Sequence, residues 1–381
     1  MTKEIRDIIS AFKEAQQQGR QTALATVVHV EGSSYRRPGA RMLVEDNGRM
    51  TGAISGGCLE GDALRKALLA INQKQNKLVT YNTLDEDDAT LGIQLGCNGI
   101  VHILFEPINT NNINNPISLL ESCLKQRKNS VIVTLFSLQN YYGHQPGTCS
   151  FFDGEINLQN ISNQNLLNQL KNDAAIVLDT KSSLLKQYPD HELTAFIELI
   201  EPPVSLVVVG AGNDALPMID MATILGWQTI VIDGRSTHAN KQRFPKGNEL
   251  IVGKPGEIIE QITVDERTVF VLMTHNYNYD LAVLELLLKK NCIYIGILGP
   301  KKRLQCMLTE LEEKGHLISD EQKVMLYGPT GLDIGAEAAE EIALSVLAEI
   351  KAVLSKRNGA SLRNRHDAIH NSSKLVLQEK K

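Results

Sequence analysis

At 381 residues the chain exceeds what one typical core holds, so two domains, or three, are expected. A hydrophobic share of 43% and a charged share of 22% are those of a soluble globular protein. The formal net charge of −5 leaves no basic footprint and speaks against nucleic acid as a partner.

The opening, Met1-Thr2-Lys3-Glu4-Ile5-Arg6-Asp7-Ile8-Ile9, mixes charges with apolar residues at helical spacing and lacks the layout of a secretion signal. It predicts an amphipathic helix up to about Gln18, stopped by Gly19. Thr22 to Val30 is rich in β-formers and reads as a strand. Arg41–Glu45 and Arg49–Ile54 flank Asp46-Asn47-Gly48, a strong hairpin signal. Ser55-Gly56-Gly57-Cys58 then leads into a helix from Leu59 to Gln73, with Leu64, Leu68 and Ile71 at helical spacing. Leu78–Asn82 and Ile100–Phe105 are further strands around an acidic loop, Asp85-Glu86-Asp87-Asp88.

Asn109 to Asn115 reads as a surface loop, and Asn157 to Asn172 as a short solvated helix. Glu201-Pro202-Pro203 is the clearest boundary, because two successive prolines break any element. Beyond it strands and helices alternate: Leu206–Val209, Leu216–Leu225, Thr229–Ile232, Val269–Met273, Leu281–Leu288, Ile293–Leu298, Arg303–Lys314 and Lys323–Tyr327, then a long helix from Ala336 to Ser355. That alternation is a doubly wound α/β pattern. Three regions follow: an N-terminal α+β domain over residues 1–200, a doubly wound parallel-sheet domain over 204–356, and a polar tail over 357–381. No internal repeat is present, and no apolar stretch is long enough to span a bilayer. Six cysteines without a CxxC pair point to a reduced, cytoplasmic compartment rather than a disulfide framework or a structural zinc site.

Four constellations carry chemistry. Gly32-Ser33-Ser34-Tyr35-Arg36-Arg37-Pro38-Gly39-Ala40-Arg41 combines small residues with fixed positive charge, which suits an anion; it would also serve as a plain solvated loop. In Ser55-Gly56-Gly57-Cys58-Leu59-Glu60, a thiol in the first helical turn would feel the helix dipole and favour thiolate. Such a thiolate could ligate a soft metal or an anion-bearing cofactor, or the cysteine could simply fill a gap. Leu95-Gly96-Cys97-Asn98-Gly99 is a tight turn with a second thiol. Gly210-Ala211-Gly212-Asn213-Asp214-Ala215 follows an apolar strand, and Asp233 falls about 20 residues on, where a dinucleotide ribose would be gripped. This predicts a Rossmann-type half-fold. Arg235 beside Asp233 muddies the choice between NAD and NADP, and His275 stands at another strand end as a candidate acid or base.

The collinear set of Gly32–Gly39, Ser55–Glu60, Leu95-Gly96-Cys97, Gly210-Ala211-Gly212, Asp233-Gly234-Arg235, Arg243-Phe244-Pro245, Met273-Thr274-His275, Tyr294–Gly299 and Gly331–Gly335 resembles the XdhC/CoxI family of xanthine dehydrogenase accessory proteins. Glu341–Ser345 and Ile369-His370 fit that family's tail. The resemblance implies a chaperone that binds molybdenum cofactor (a molybdopterin, with or without an added nucleotide). It also implies protection of the cofactor, help with its sulfuration alongside a cysteine desulfurase, and insertion into a xanthine dehydrogenase-like molybdoenzyme. A homodimer and the absence of a membrane or nucleic-acid partner go with it. By the same resemblance Cys58, as a molybdenum contact, and Cys97 would touch the cofactor. Gly56, Gly57, Ser33, Ser34, Arg36 and Arg37 would lie about it, while Gly210, Gly212, Asp233 and His275 would line the second domain's site. The sequence departs from the family at Asn213, where histidine is common, and at Ala339, where proline is common. An NAD(P)-dependent oxidoreductase is the competing reading. A third is that the second domain docks a partner or a second copy.

Overall fold

The computed structural model describes residues 2–82, 99–141, 143–153, 156–157, 161 and 163–366. The chain divides into two compact units at Pro202 and Pro203. The first opens with α1 (Thr2–Gln17), whose Ile5, Ile8, Ile9, Phe12 and Ala15 are buried at helical spacing. Then come β1 (Thr22–Gly32), β2 (Arg41–Glu45), β3 (Met50–Gly52), α2 (Glu60–Gln73), β4 (Lys77–Asn82) and β5 (Gly99–Pro107). The strands form an antiparallel sheet of order β3-β2-β1-β5-β4, with Asn47-Gly48 in the turn between β2 and β3. On one face α2 sits close, because its Ala63, Ala67 and Ala70 meet Ala23, Ala25, Ile103 and Phe105 without bulk.

From Asn109 to Glu201 the chain builds a second antiparallel sheet where the sequence pattern suggests a polar loop and a solvated helix. Its elements are α3 (Pro116–Lys125), β6 (Ser130–Phe136), β7 (Gly147–Phe152), β8 (Ile156–Asn157), α4 (Gln164–Thr180), β9 (Leu184–Tyr188) and β10 (Leu193–Ile200), in strand order β8-β7-β6-β10-β9. The predicted helix at 157–172 is corrected in register and in role. Asn163 caps it by accepting the N–H groups of Asn165 and Leu166, so α4 starts later. Its Leu166, Leu170, Ala174 and Val177 are core residues, not solvated ones. Val28, Leu104, Phe136 and Phe196 join the two sheets in one cluster.

The second unit contains β11 (Ser205–Val209), α5 (Ala215–Ile224), β12 (Gln228–Asp233), β13 (Glu249–Val252), α6 (Pro255–Ile259), β14 (Thr268–Leu272), α7 (Tyr277–Leu287), β15 (Ile295–Ile297), α8 (Lys301–Glu313), α9 (Asp320–Val324), β16 (Leu326–Tyr327) and α10 (Ala339–Leu354). Its sheet is parallel throughout, in the order β13-β12-β11-β14-β15-β16, the doubly wound arrangement expected. The run Leu206–Val209 is continuously apolar because both faces are covered: Leu206 and Val208 pack with α5 and α10, Val207 and Val209 with α6, α7 and α8. One predicted strand, Lys323–Tyr327, is shorter than expected. Ser319 and Gln322 form a capping box that makes 320–324 helical, leaving two residues for the strand. At Ala339, Glu341 starts the helix instead of proline by accepting the N–H groups of Glu337 and Ala338 at 2.8 and 3.0 Å. Among the described residues no helix is long and apolar enough to cross a membrane.

The first unit also buries an ion pair. Arg41 of β2 and Glu198 of β10 are 2% and 1% exposed and meet through both ends of the guanidinium, one contact being 3.1 Å. Burial alone would push the guanidinium's pKa down, but Glu198 outweighs it and holds the value above the ordinary one. Glu198→Ala should therefore cost about 3–5 kcal/mol, because it strands a buried cation. Urea unfolding followed by circular dichroism should show it, with much of the loss recovered in Arg41→Met/Glu198→Leu. A loss below about 1 kcal/mol would remove the pair from its structural role.

Candidate functional site

In the first unit, two of the loops singled out by sequence meet. The segment after β1 folds back so that the exposed Tyr35 ring lies over Gly56, where an added Cβ would touch it at 3.4 Å. Gly99 is held against the same loop: a Cβ there would lie 2.4 Å from the Ser33 carbonyl oxygen. Gly99 ends the Leu95–Gly99 motif, whose Cys97 lies outside the described residues. Residues Ser33, Ser34 and Arg37 stand at or near the surface of the loop.

Arg36 has a partner already. Its Nη2 contacts the two carboxylate oxygens of Glu4 at 2.7 and 2.5 Å, and Glu4 also accepts the N–H of Ala53 at 3.3 Å. One α1 carboxylate thus ties the arginine loop to the strand exit that leads into Ser55. The arginine is engaged by Glu4 as a strut of the loop.

The turn bearing Cys58 is organised by Ser55 and Glu60. Ser55 Oγ accepts the N–H groups of Gly57 and Leu59, each at 3.1 Å, and itself donates to Glu60, which also accepts the Ser55 N–H at 2.8 Å. Burial would raise the Glu60 pKa, but these Ser55 hydrogen bonds prevail and hold it below the usual carboxylate value. Gly57 has φ +112°, a conformation that excludes other residues whatever the space around it. Cys58 is exposed, and its N–H has no partner among the described residues. It stands one residue ahead of the N-cap Leu59, not in the first helical turn as expected. By contrast Cys123 and Cys149 are buried, and burial pushes both thiols up to about 12.

In the second unit the glycine turn closes on itself. Gly210 has φ +121°, and a Cβ on it would stand 2.5 Å from the Met273 carbonyl oxygen at the β11/β14 switch point. Gly212 lies one step along the same turn. Asp233 does stand at the end of β12. However, its Oδ2 accepts the Ala211 N–H at 2.9 Å, and Arg235 clamps it through its backbone N, Nε and Nη2, each at 2.9 Å. Burial would raise the Asp233 pKa, but the Arg235 and Ala211 bonds lower it overall. The group is therefore satisfied internally and is not open to a ribose hydroxyl as it stands. Asn213 accepts from Arg243 at 2.7 Å, while a second Arg243 nitrogen reaches the Ala211 carbonyl at 2.8 Å. His275, exposed and at φ +59°, meets Asp214 at 2.9 Å. Sequence reasoning missed Arg243 as a clamp of the glycine turn and Asp280, a buried carboxylate held by Thr274 at 2.7 Å and Arg303 at 2.8 Å. The spacing of an arginine ten residues beyond a strand acid carries no signal of its own.

The XdhC and CoxI family model matches residues 15–82, and the model of the XdhC Rossmann domain matches residues 206–350. A protein of Bacillus subtilis (strain 168) described as a probable xanthine dehydrogenase subunit is 33% identical over 351 residues, covering 90% of this chain and 95% of its own. The chain belongs to the XdhC/CoxI family. Another relative is the molybdenum cofactor insertion chaperone PaoD of Escherichia coli (strain K12), 24% identical over 353 residues, covering 93% of this chain and 90% of PaoD. A crystal structure described as a xanthine dehydrogenase from Bacillus halodurans superposes with a TM-score of 0.74 at 28% identity, over 93% of this chain and 98% of that one. The Arg36 loop and the Cys58 turn fall in the first XdhC/CoxI match and the glycine turn in the second. The second antiparallel sheet lies between the two matches.

Gly210→Ala should destabilise the second unit by more than about 2 kcal/mol, since φ strain and the Met273 carbonyl act together. Trp227, the chain's single tryptophan, is buried in that unit and reports its unfolding by fluorescence. An unchanged midpoint would show that the turn tolerates a side chain.

Proposed function

We propose that this protein carries molybdenum cofactor as cargo and delivers it to a xanthine dehydrogenase-like molybdoenzyme. The observation that carries this reading is the relation to an insertion chaperone, which extends over 93% of the chain. The Cys58 turn supports it chemically. Molybdenum bound to sulfur favours a soft donor, and an exposed thiol beside Gly56 and Gly57 supplies one where the backbone can be approached closely. The Cys58 N–H, without a partner among the described residues, adds a donor for an anionic oxygen or sulfur. Ser33, Ser34 and Arg37 complete the cargo site at the loop, with Arg36 positioning it through Glu4.

Within this reading Cys97 is the second thiol of the site, and sulfuration draws on a cysteine desulfurase. The chain works as a homodimer in the cytoplasm. These assignments rest on the family resemblance and on the sequence motifs that match it.

Protein purified from cells that make molybdenum cofactor should contain bound pterin, and Cys58→Ala should retain at least tenfold less. Pterin absent from both, or equal in both, would overturn the assignment.

The Rossmann-type crevice is assigned to a phosphate-bearing group or a partner surface rather than to hydride transfer. Support comes from Asp233, whose carboxylate is occupied by Arg235 and Ala211, and from Arg235 itself, about half exposed beside it. Calorimetric titration with NAD and with NADP should give no binding heat. A one-to-one isotherm with either would restore the oxidoreductase reading.

A further inference from the structure

His29 and His102 belong to no motif of the family signature, yet they are buried together at the base of the Arg36 loop. Strand alternation would place His29 on the face of Val27, under α2. A bulge between Val27 and His29 shifts the register: Val27 pairs with Ile103, but His29 pairs with His102 and Glu31 with Ile100. The slip turns His29 and Glu31 onto the His102 face, away from the helix. Three ligand-type side chains are thereby gathered on one side of the sheet.

Their donor atoms lie close enough together to share one ion. One Glu31 carboxylate oxygen lies 3.5 Å from His29 Nε2 and 3.2 Å from His102 Nε2. One ring nitrogen of each histidine and this oxygen all fall within 4.8 Å of one another. A zinc-class ion holds such donors at about 2.0–2.2 Å, which sets adjacent donors of a tetrahedral site about 3.3 Å apart. Two edges already match. The two imidazoles lie stacked, with centroids 5.1 Å apart and planes 10° from parallel, so one ring must turn out of the stack for both to face a common ion.

The surroundings fit a ligand role. Thr80 Oγ1 lies 2.9 Å from His102 Nδ1, an outer-shell contact that orients the imidazole and leaves Nε2 facing Glu31. Glu31 is about half exposed and supplies both the negative charge and the route of entry.

We propose that His29, Glu31 and His102 bind one divalent transition ion of the zinc class, with a coordination position left open toward solvent. The ion pins β1 to β5 immediately before Gly32, where the Arg36 loop departs. It is distinct from the cargo, and its three ligands among the described residues include no cysteine.

Chelator-treated full-length protein with Cys58, Cys97 and Cys306 replaced by serine, which removes competing thiols, should be titrated with Co2+ and followed by visible absorption. One equivalent should bind with ligand-field bands and no sulfur charge-transfer band, and Zn2+ should displace it. Glu31→Gln should weaken binding at least tenfold and His102→Ala should abolish it. Should His102→Ala fail to fold, the Glu31→Gln titration decides. Absence of binding, or equal affinity in the parent and Glu31→Gln, would overturn the proposal. Because the readout involves no pterin, its failure leaves the cargo reading untouched.

Discussion

The buried guanidinium of Arg41 is the contact on which the first unit's site depends. It reaches Glu198 across the two sheets and, through Nη1, holds the Gly39 carbonyl at 2.9 Å. Gly39 lies two residues before β2 begins at Arg41, so the loop's exit is fixed from beneath by the same side chain that joins the sheets. Its middle is fixed by Arg36 on Glu4, and its top is the Tyr35 ring resting over Gly56. A charge pair that contributes little net stability in the interior can still impose one geometry, because any displacement leaves an unpaired ion. That is its use here: the surface loop beside Cys58 inherits the precision of the core.

Much of this is legible in the sequence, though unevenly. Alternating strand and helix patterns after Pro203 point directly to the parallel sheet, since strands covered on both faces read as unbroken apolar runs and Leu206–Val209 is one. The glycine turns and Cys58 announce themselves by composition. What stays hidden depends on partners distant in sequence. Glu4 lies 32 residues from Arg36 and Glu198 lies 157 from Arg41, and no local pattern couples them. The second sheet is obscured for a different reason. Its helix begins in an Asn- and Gln-rich run whose polarity outweighs the Leu166, Leu170, Ala174 and Val177 stripe that packs inward. The bulge at Val28 is a third kind of case: one extra residue reverses the faces of everything after it, and periodicity read without it sends His29 to the wrong side.

The glycine turn at Gly210 shows how a fold legible in the sequence can carry side-chain contacts that are not. Strand order, turn and acid all occur where a dinucleotide fold puts them. Two side chains change the chemistry: Arg235 takes up the carboxylate that would face ribose, and Arg243 braces the turn through Ala211 and Asn213. Asn213 matters more than its place among the family departures suggests, since its side chain is the acceptor for that brace. The architecture is retained and the recognition group is spent on the protein itself.

The same device recurs through the chain. Arg36 is held by Glu4, Arg41 by Glu198, Arg235 by Asp233 and Arg303 by Asp280. Strong cationic grips that motif reading offers for an anionic ligand are in large part neutralised by carboxylates of the same chain. Removing one partner of a fully desolvated, hydrogen-bonded charge pair costs about 2–5 kcal/mol, mostly expressed as faster release. A protein that turned its cargo over chemically could use such grips. One that must pass the cargo on intact is better served by a soft thiol, an open N–H and a loop held in shape from below. Under the proposed cargo role, affinity must be one that a receiving enzyme can exceed, and arginines paired with carboxylates of the same chain fit that requirement.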